Sequence, residues 1–303
     1  MTKTASTPLP PESQRSVTAS CPIGTHSTAG GFIVSPSGAP GMGFQSVTQV
    51  SAPSGKRDWR VVSGAEQNNP PANVTAAARC ERKIDGRIVV RLAGSDTIAQ
   101  GTAVNFDFRC PPGTHPIGGG WTVSNPFNGD LATSNLIVIQ NRRTSPTTWL
   151  ITAEVRSGAT NPSTFTPTVP CERNSRRKIT ERGKIVPLAN NTRASASAIC
   201  AKGRHVVSGG FVLTPLPGTS PTPVPFAPID YNAPTGARTW RVDVYDTVFN
   251  APAGSALTTY AYCRRNRLRK RRRARRSAEA SAAPIGRGRV EISPPVPVFS
   301  LSG

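Results

Sequence analysis

Three cysteines, Cys21, Cys110 and Cys200, stand 89 and 90 residues apart, and aligning the chain on them brings much of the sequence into register. Gly24, Gly113 and Gly203 fall three positions later, and His26, His115 and His205 five positions later, which uses every histidine in the protein. Gly-Gly pairs follow (Gly30-Gly31, Gly119-Gly120, Gly209-Gly210), then one aromatic: Phe32, Trp121 or Phe211. Downstream come Trp59, Trp149 and Trp240, and then closing cysteines Cys80, Cys171 and Cys263, with spans of 59, 61 and 63 residues. Periodicity of this kind overrides the two domains that a length of 303 residues would suggest. It predicts β-repeats over 13–93, 94–189 and 190–263, between a disordered segment 1–12 and a flexible tail 264–303.

Short alternating stretches bounded by Gly, Pro, Asn and Ser predict strands. In the first copy these are SVTASC, GGFIVS, SVTQVS, DWRVVS and VTAAARC, with RIVVRLA leading towards the second. AVNFDFRC, GGWTVS and TWLITAEV match them in the second copy, as do SASAIC, GGFVLT, TWRVDVY and LTTYAYC in the third. The expected fold is all-β: three tandem small antiparallel sandwich-like or barrel-like repeats, one disulfide each. The prolines of TPLPGTSPTPVPFAPIDYNAPTGAR cannot donate to a ladder and predict an extended loop or an edge there.

A copy of about 90 residues needs a covalent staple beside its small core. A repeat carrying its own cysteine pair should close it locally, Cys21 with Cys80, Cys110 with Cys171 and Cys200 with Cys263. Each closure would contribute roughly 4 kcal/mol on the chain-entropy model. The alternative is a Cys2His metal set, for which C-x4-H is an unusual ligand spacing. Trp59, Trp149 and Trp240 read as core residues, with carbohydrate stacking as the sharper alternative. The Gly-Gly pairs read as bulges or close backbone approaches, because neither a P-loop Lys-Ser/Thr nor a following helix accompanies them.

His26, His115 and His205 are expected to stabilise turns. A hydrolase using a repeat histidine would need a carboxylate and a nucleophile in the same register, and Asp107, Glu154 and Asp243 occupy unrelated ones. No G-x-S-x-G elbow is present. The expectation is a protein without catalytic residues, metal or cofactor.

The net charge of +21 is unevenly distributed, and RRNRLRKRRRARR carries ten of the cations, almost half of the excess. Arg264, Arg265, Arg267, Arg269, Lys270, Arg271, Arg272, Arg273, Arg275 and Arg276 form a self-repelling block suited to phosphate and carboxylate contacts. Wall polymers, acidic glycans, lipid headgroups and nucleic acids are its candidate partners. Smaller basic runs, ERKIDGR and ERNSRRKITERGK, also follow the first two closing cysteines. After the tail block, a short strand around Val290 to Ile292 is expected. No apolar window of about 18 residues could span a membrane as a helix. An even cysteine count points to an oxidising compartment, whereas MTKTASTPLPPESQRSVTAS carries no apolar h-region and no A-x-A site.

The pattern C-P-x-G-x-x-x-x-x-G-G-[FW], a Trp strand and a closing Cys resembles the short repeats of uncharacterised secreted proteins of high-GC Gram-positive bacteria. The resemblance covers residues 13–263, with Ala201 in place of the usual Pro in the third copy. It implies an exported β-domain and no assigned activity. Together these observations lead to a non-catalytic secreted or cell-surface binding or structural protein, with a tail-driven polyanion or nucleic-acid binder as the first alternative and a hydrolase as the second.

Overall fold

The computed structural model describes residues 1–35, 46–65, 70–82, 88–92, 94–124, 136–155, 163–173, 179–189, 192–214, 228–245 and 255–266. Among them every regular element is a strand. Those of the first copy are β1 (Thr2–Leu9), β2 (Ser13–Ser20), β3 (Thr25–Ser35), β4 (Ser46–Pro53), β5 (Asp58–Ala65) and β6 (Ala72–Arg82). The second contributes β7 (Ile88–Leu92), β8 (Asp96–Ile98), β9 (Thr102–Arg109), β10 (Thr114–Pro116), β11 (Gly120–Ser124), β12 (Leu136–Arg143), β13 (Thr148–Val155) and β14 (Ser163–Arg173). The third contributes β15 (Thr180–Pro187), β16 (Arg193–Ile199), β17 (Arg204–Thr214), β18 (Ile229–Pro234), β19 (Thr239–Tyr245) and β20 (Ala256–Arg265).

The protein is all-β, with three antiparallel sheets and one disulfide per copy. Each sheet is shared by two copies. The first has the order β1-β6-β3-β18-β19-β16, joining copies one and three. The second, β10-β14-β11-β4-β5-β2 with β7 and β8 also on β14, joins copies two and one. The third, β15-β20-β17-β12-β13-β9, joins copies three and two. The copies therefore form a closed cycle, and Met1–Arg265 is a single compact unit.

Strand pairing moves the boundaries expected from sequence. Residues 1–12, read as disordered, contain β1, whose eight residues pair along β6 and bury Leu9 completely. β7 and β15 likewise pair with the closing strands β14 and β20 of the copies that follow them. The lead strand thus belongs to the copy downstream, where it covers an otherwise open edge. In the proline-rich segment of the third copy, β18 lies centrally between β3 and β19. Its first five residues, IDYNA, are free of proline, with Pro228 before them and Pro234 at the strand's end, so β18 pairs along β19 with one register shift between Ile229 and Tyr231. Residues 267–303, including the strand expected around Val290, lie outside the described residues.

The Gly-Gly pairs are the joints of the cycle. A Cβ on Gly30, Gly119 or Gly209 would come within 2.2, 2.1 or 2.0 Å of the Trp59, Trp149 or Trp240 ring of the same copy. A Cβ on Gly31, Gly120 or Gly210 would meet the carbonyl oxygen of Asn232, Ser51 or Asn141 in a neighbouring copy, at 1.7, 2.4 and 2.3 Å. Those same residues accept the indole N–H bonds: Trp240 donates to Asn232 Oδ1 at 2.8 Å, Trp59 to Ser51 Oγ at 3.1 Å and Trp149 to Asn141 Oδ1 at 2.5 Å. All three tryptophans are buried, as their core reading requires, and one hydrophobic core draws on all three copies.

Candidate functional site

Each opening cysteine is followed by a tight turn. Thr25, Thr114 and Arg204 N–H donate to the carbonyls of Pro22, Pro111 and Ala201, and Gly24, Gly113 and Gly203 hold positive φ values of 78°, 74° and 83°. A residue with a Cβ would be strained at that third turn position. The histidine then enters β3, β10 or β17 directly opposite the residue after the closing cysteine: His26 faces Glu81, His115 faces Glu172 and His205 faces Arg264.

These equivalent positions converge. Arg264 is 1% exposed, and its guanidinium donates from Nη1 to Glu81 Oε2 at 2.7 Å and from Nη2 to Glu172 Oε2. His205 Nε2 is 2.6 Å from Glu81 Oε1, and His115 Nε2 is 3.3 Å from Glu172 Oε2. One arginine from the third copy thus bridges two glutamates from the first and second. Burial by itself would push the Glu81 carboxyl up, but the His205 hydrogen bond and the Arg264, His205 and Arg79 charges outweigh it and hold Glu81 at about 2. Glu172 is also held low: burial opposes this, while His115 and Arg264 favour its charged form.

Sequence reasoning missed this cluster, although its signal was present: the residue after the closing cysteine is Glu, Glu and then Arg. The carboxylate register sought for the histidines does exist, in Glu81 and Glu172. Arg264, grouped by sequence with the tail, is instead a buried residue of β20, because the strand continues past Cys263 to Arg265. Arg265 is exposed, and the cations from Arg267 to Arg276 lie outside the described residues.

The cysteines are all paired: Cys21–Cys80, Cys110–Cys171 and Cys200–Cys263, with Cα separations of 5.5, 5.9 and 5.6 Å. No thiolate remains for the Cys2His ligand set. Each bridge runs from the turn after one sheet's strand to a strand of another sheet, and the three bridges staple all three sheet pairs.

A cleft of about 560 Å³ opens beside His115, lined also by Arg143, Ser145, Thr147 and Glu181. Its polar groups are largely engaged. Arg143 donates from Nε to Ser145 O at 2.8 Å and from Nη2 to Pro146 O at 2.5 Å, and Ser145 Oγ donates to Thr148 Oγ1 at 2.9 Å. Burial raises the Glu181 carboxyl against the opposing pull of Arg142 and Arg143. A second acidic group, Asp230, is pushed up to about 7 by burial, which the nearby Asp243 carboxylate reinforces and Arg193 opposes. Among the described residues no helix is long and apolar enough to cross a membrane. Compared with known proteins, the chain matches no family model and no curated protein.

Proposed function

We propose that this is a non-catalytic secreted or cell-surface protein that binds or supports other molecules on a covalently locked β-scaffold. The carrying observation is that three disulfides join the three sheets in every pairwise combination. Such bridges persist in oxidising compartments. The engagement of His115 and His205 by carboxylates tied to Arg264 supports a structural reading of the histidines. Intact mass under non-reducing conditions, on protein from its native source, tests this: three disulfides are expected, and six free thiols would overturn it.

The first alternative is a polyanion or nucleic-acid binder driven by the tail, which the run of cations from Arg267 to Arg276 supports. Because Arg264 and Arg265 belong to β20, the deletion that tests it begins at Arg267. Retained polyanion binding in that variant counts against a tail-driven mode. The hydrolase reading takes its support from His115, which lines the cleft and contacts Glu172. Activity unaffected by His26→Ala, His115→Ala and His205→Ala together would remove it.

A further inference from the structure

One end of the folded body gathers cations around the buried cluster. The turns after the opening cysteines lie there against the hairpin turns of the neighbouring strands: Cys21 N donates to Arg57 O, Ser27 N to Lys56 O, Cys110 N to Thr147 O and Cys200 N to Arg238 O. β6, β14 and β20 finish at the same end, with Arg82, Arg173 and Arg265 opposite Thr25, Thr114 and Arg204. Glu81, Glu172 and Arg264 converge on one another, so strand alternation turns the next residue of each strand outwards. Arg82, Arg173 and Arg265 are accordingly exposed, as are Lys56, Arg57 and Lys202 on the turns. Glu81 and Glu172 are committed to Arg264 and the histidines and do not neutralise this rim. Asp58 and Glu181 also lie at this end, which leaves the six cations in clear excess.

We infer that this end of the body docks a linear, base-free phosphate polymer, such as a phosphate-rich polymer of a cell surface. Arginine forks favour phosphate oxygens and bind them bidentately. A nucleic-acid strand would in addition call for aromatic platforms on which bases stack. The large hydrophobic side chains exposed among the described residues are Met1, Ile23, Ile185 and Ile199, none of them aromatic. A rim around one end, built from all three copies, suits a chain of repeating charges. The inference rests on the extracellular reading above, and its failure is read by binding rather than by thiol count.

The test uses full-length chain in which the eight cations from Arg267 to Arg276 are replaced by Ser, so that the folded body is read alone. Binding to inorganic polyphosphate is measured across a salt series. In that background Arg82→Ser/Arg173→Ser should weaken binding at low salt about tenfold or more. The same pair should lower the logarithmic salt slope by roughly 1.5, at about 0.7–0.9 for each phosphate no longer neutralised. Arg15→Ser/Lys184→Ser removes the same charge from exposed positions further along β2 and β15 and should change affinity less than twofold. An unchanged disulfide count and thermal transition keep both pairs interpretable. The inference is overturned by a background chain that does not bind polyphosphate, by equal losses in the two pairs, or by tighter binding of a single-stranded oligonucleotide of matched charge. Tighter binding to vesicles rich in anionic lipid would overturn it as well.

Discussion

The glycine–tryptophan joints and the buried ionic cluster lie on paired strands, the joint glycines along β3, the β10–β11 segment and β17 and the charged residues on β6, β14 and β20, and they treat the threefold repeat in opposite ways. At the joints each copy does the same thing: a glycine underlies a tryptophan, and the next glycine admits a neighbour's carbonyl. At the cluster the copies differ, with Glu81 and Glu172 answered by Arg264. Packing tolerates threefold identity because apolar contact carries no sign. Three like charges brought into contact under low exposure cannot all ionise without a heavy cost, so the repeat breaks where electrostatics requires it.

The sharpest way to break that contrast is to restore the symmetry. Arg264→Glu places three carboxylates together, and the loss in a denaturant titration should exceed the roughly 3–5 kcal/mol typical of removing one partner of a buried pair. Arg264→Met should fall within that range. Next in size is acid sensitivity. Glu81 is depressed from 4.5 to about 2, so its stabilisation is fully present above about 4.5 and is lost as pH falls towards 2. The whole effect is on the order of 3 kcal/mol. Thermal midpoints measured across that window should fall in the native chain and fall less steeply in Glu81→Gln, where Glu172 alone of the pair still titrates. Asp230 has the opposite sign: raised from 3.8 to about 7, it costs stability as pH rises through that interval, and Asp230→Asn should flatten the decline.

The joints should answer equally in all three copies. Gly30→Ala, Gly119→Ala and Gly209→Ala each force a methyl into a tryptophan ring and should each cost about 1–3 kcal/mol or more. Unequal losses would show that the copies do not share one packing solution. Smallest is Trp240→Phe, which leaves Asn232 Oδ1 without its indole donor and should cost about 1–3 kcal/mol by chemical denaturation.

Much of this was legible in the sequence. Alternation located most strands but passed over β12, β14, β15 and β18, the repeat paired the cysteines, and GGFIVS, GGWTVS and GGFVLT announced close approach. Strand sharing was not legible, because alternation states which face of a strand is buried and not which strand lies beside it. β1 was missed for a related reason: Thr, Lys and Ser dominate TKTASTPL, and only pairing along β6 makes a strand of it. The ionic cluster escaped because Arg264 opens a run of ten cations in thirteen residues, so composition assigned to solvent a residue that strand continuation buries.

The central claim is that three copies exchanging strands form one cooperative body, and scanning calorimetry of the native chain beside Gly119→Ala tests it most directly. The account predicts a single unfolding transition, with calorimetric and van't Hoff enthalpies in agreement, that moves down as a whole when the second copy alone is altered. Three separable transitions, with only one displaced by Gly119→Ala, would contradict it.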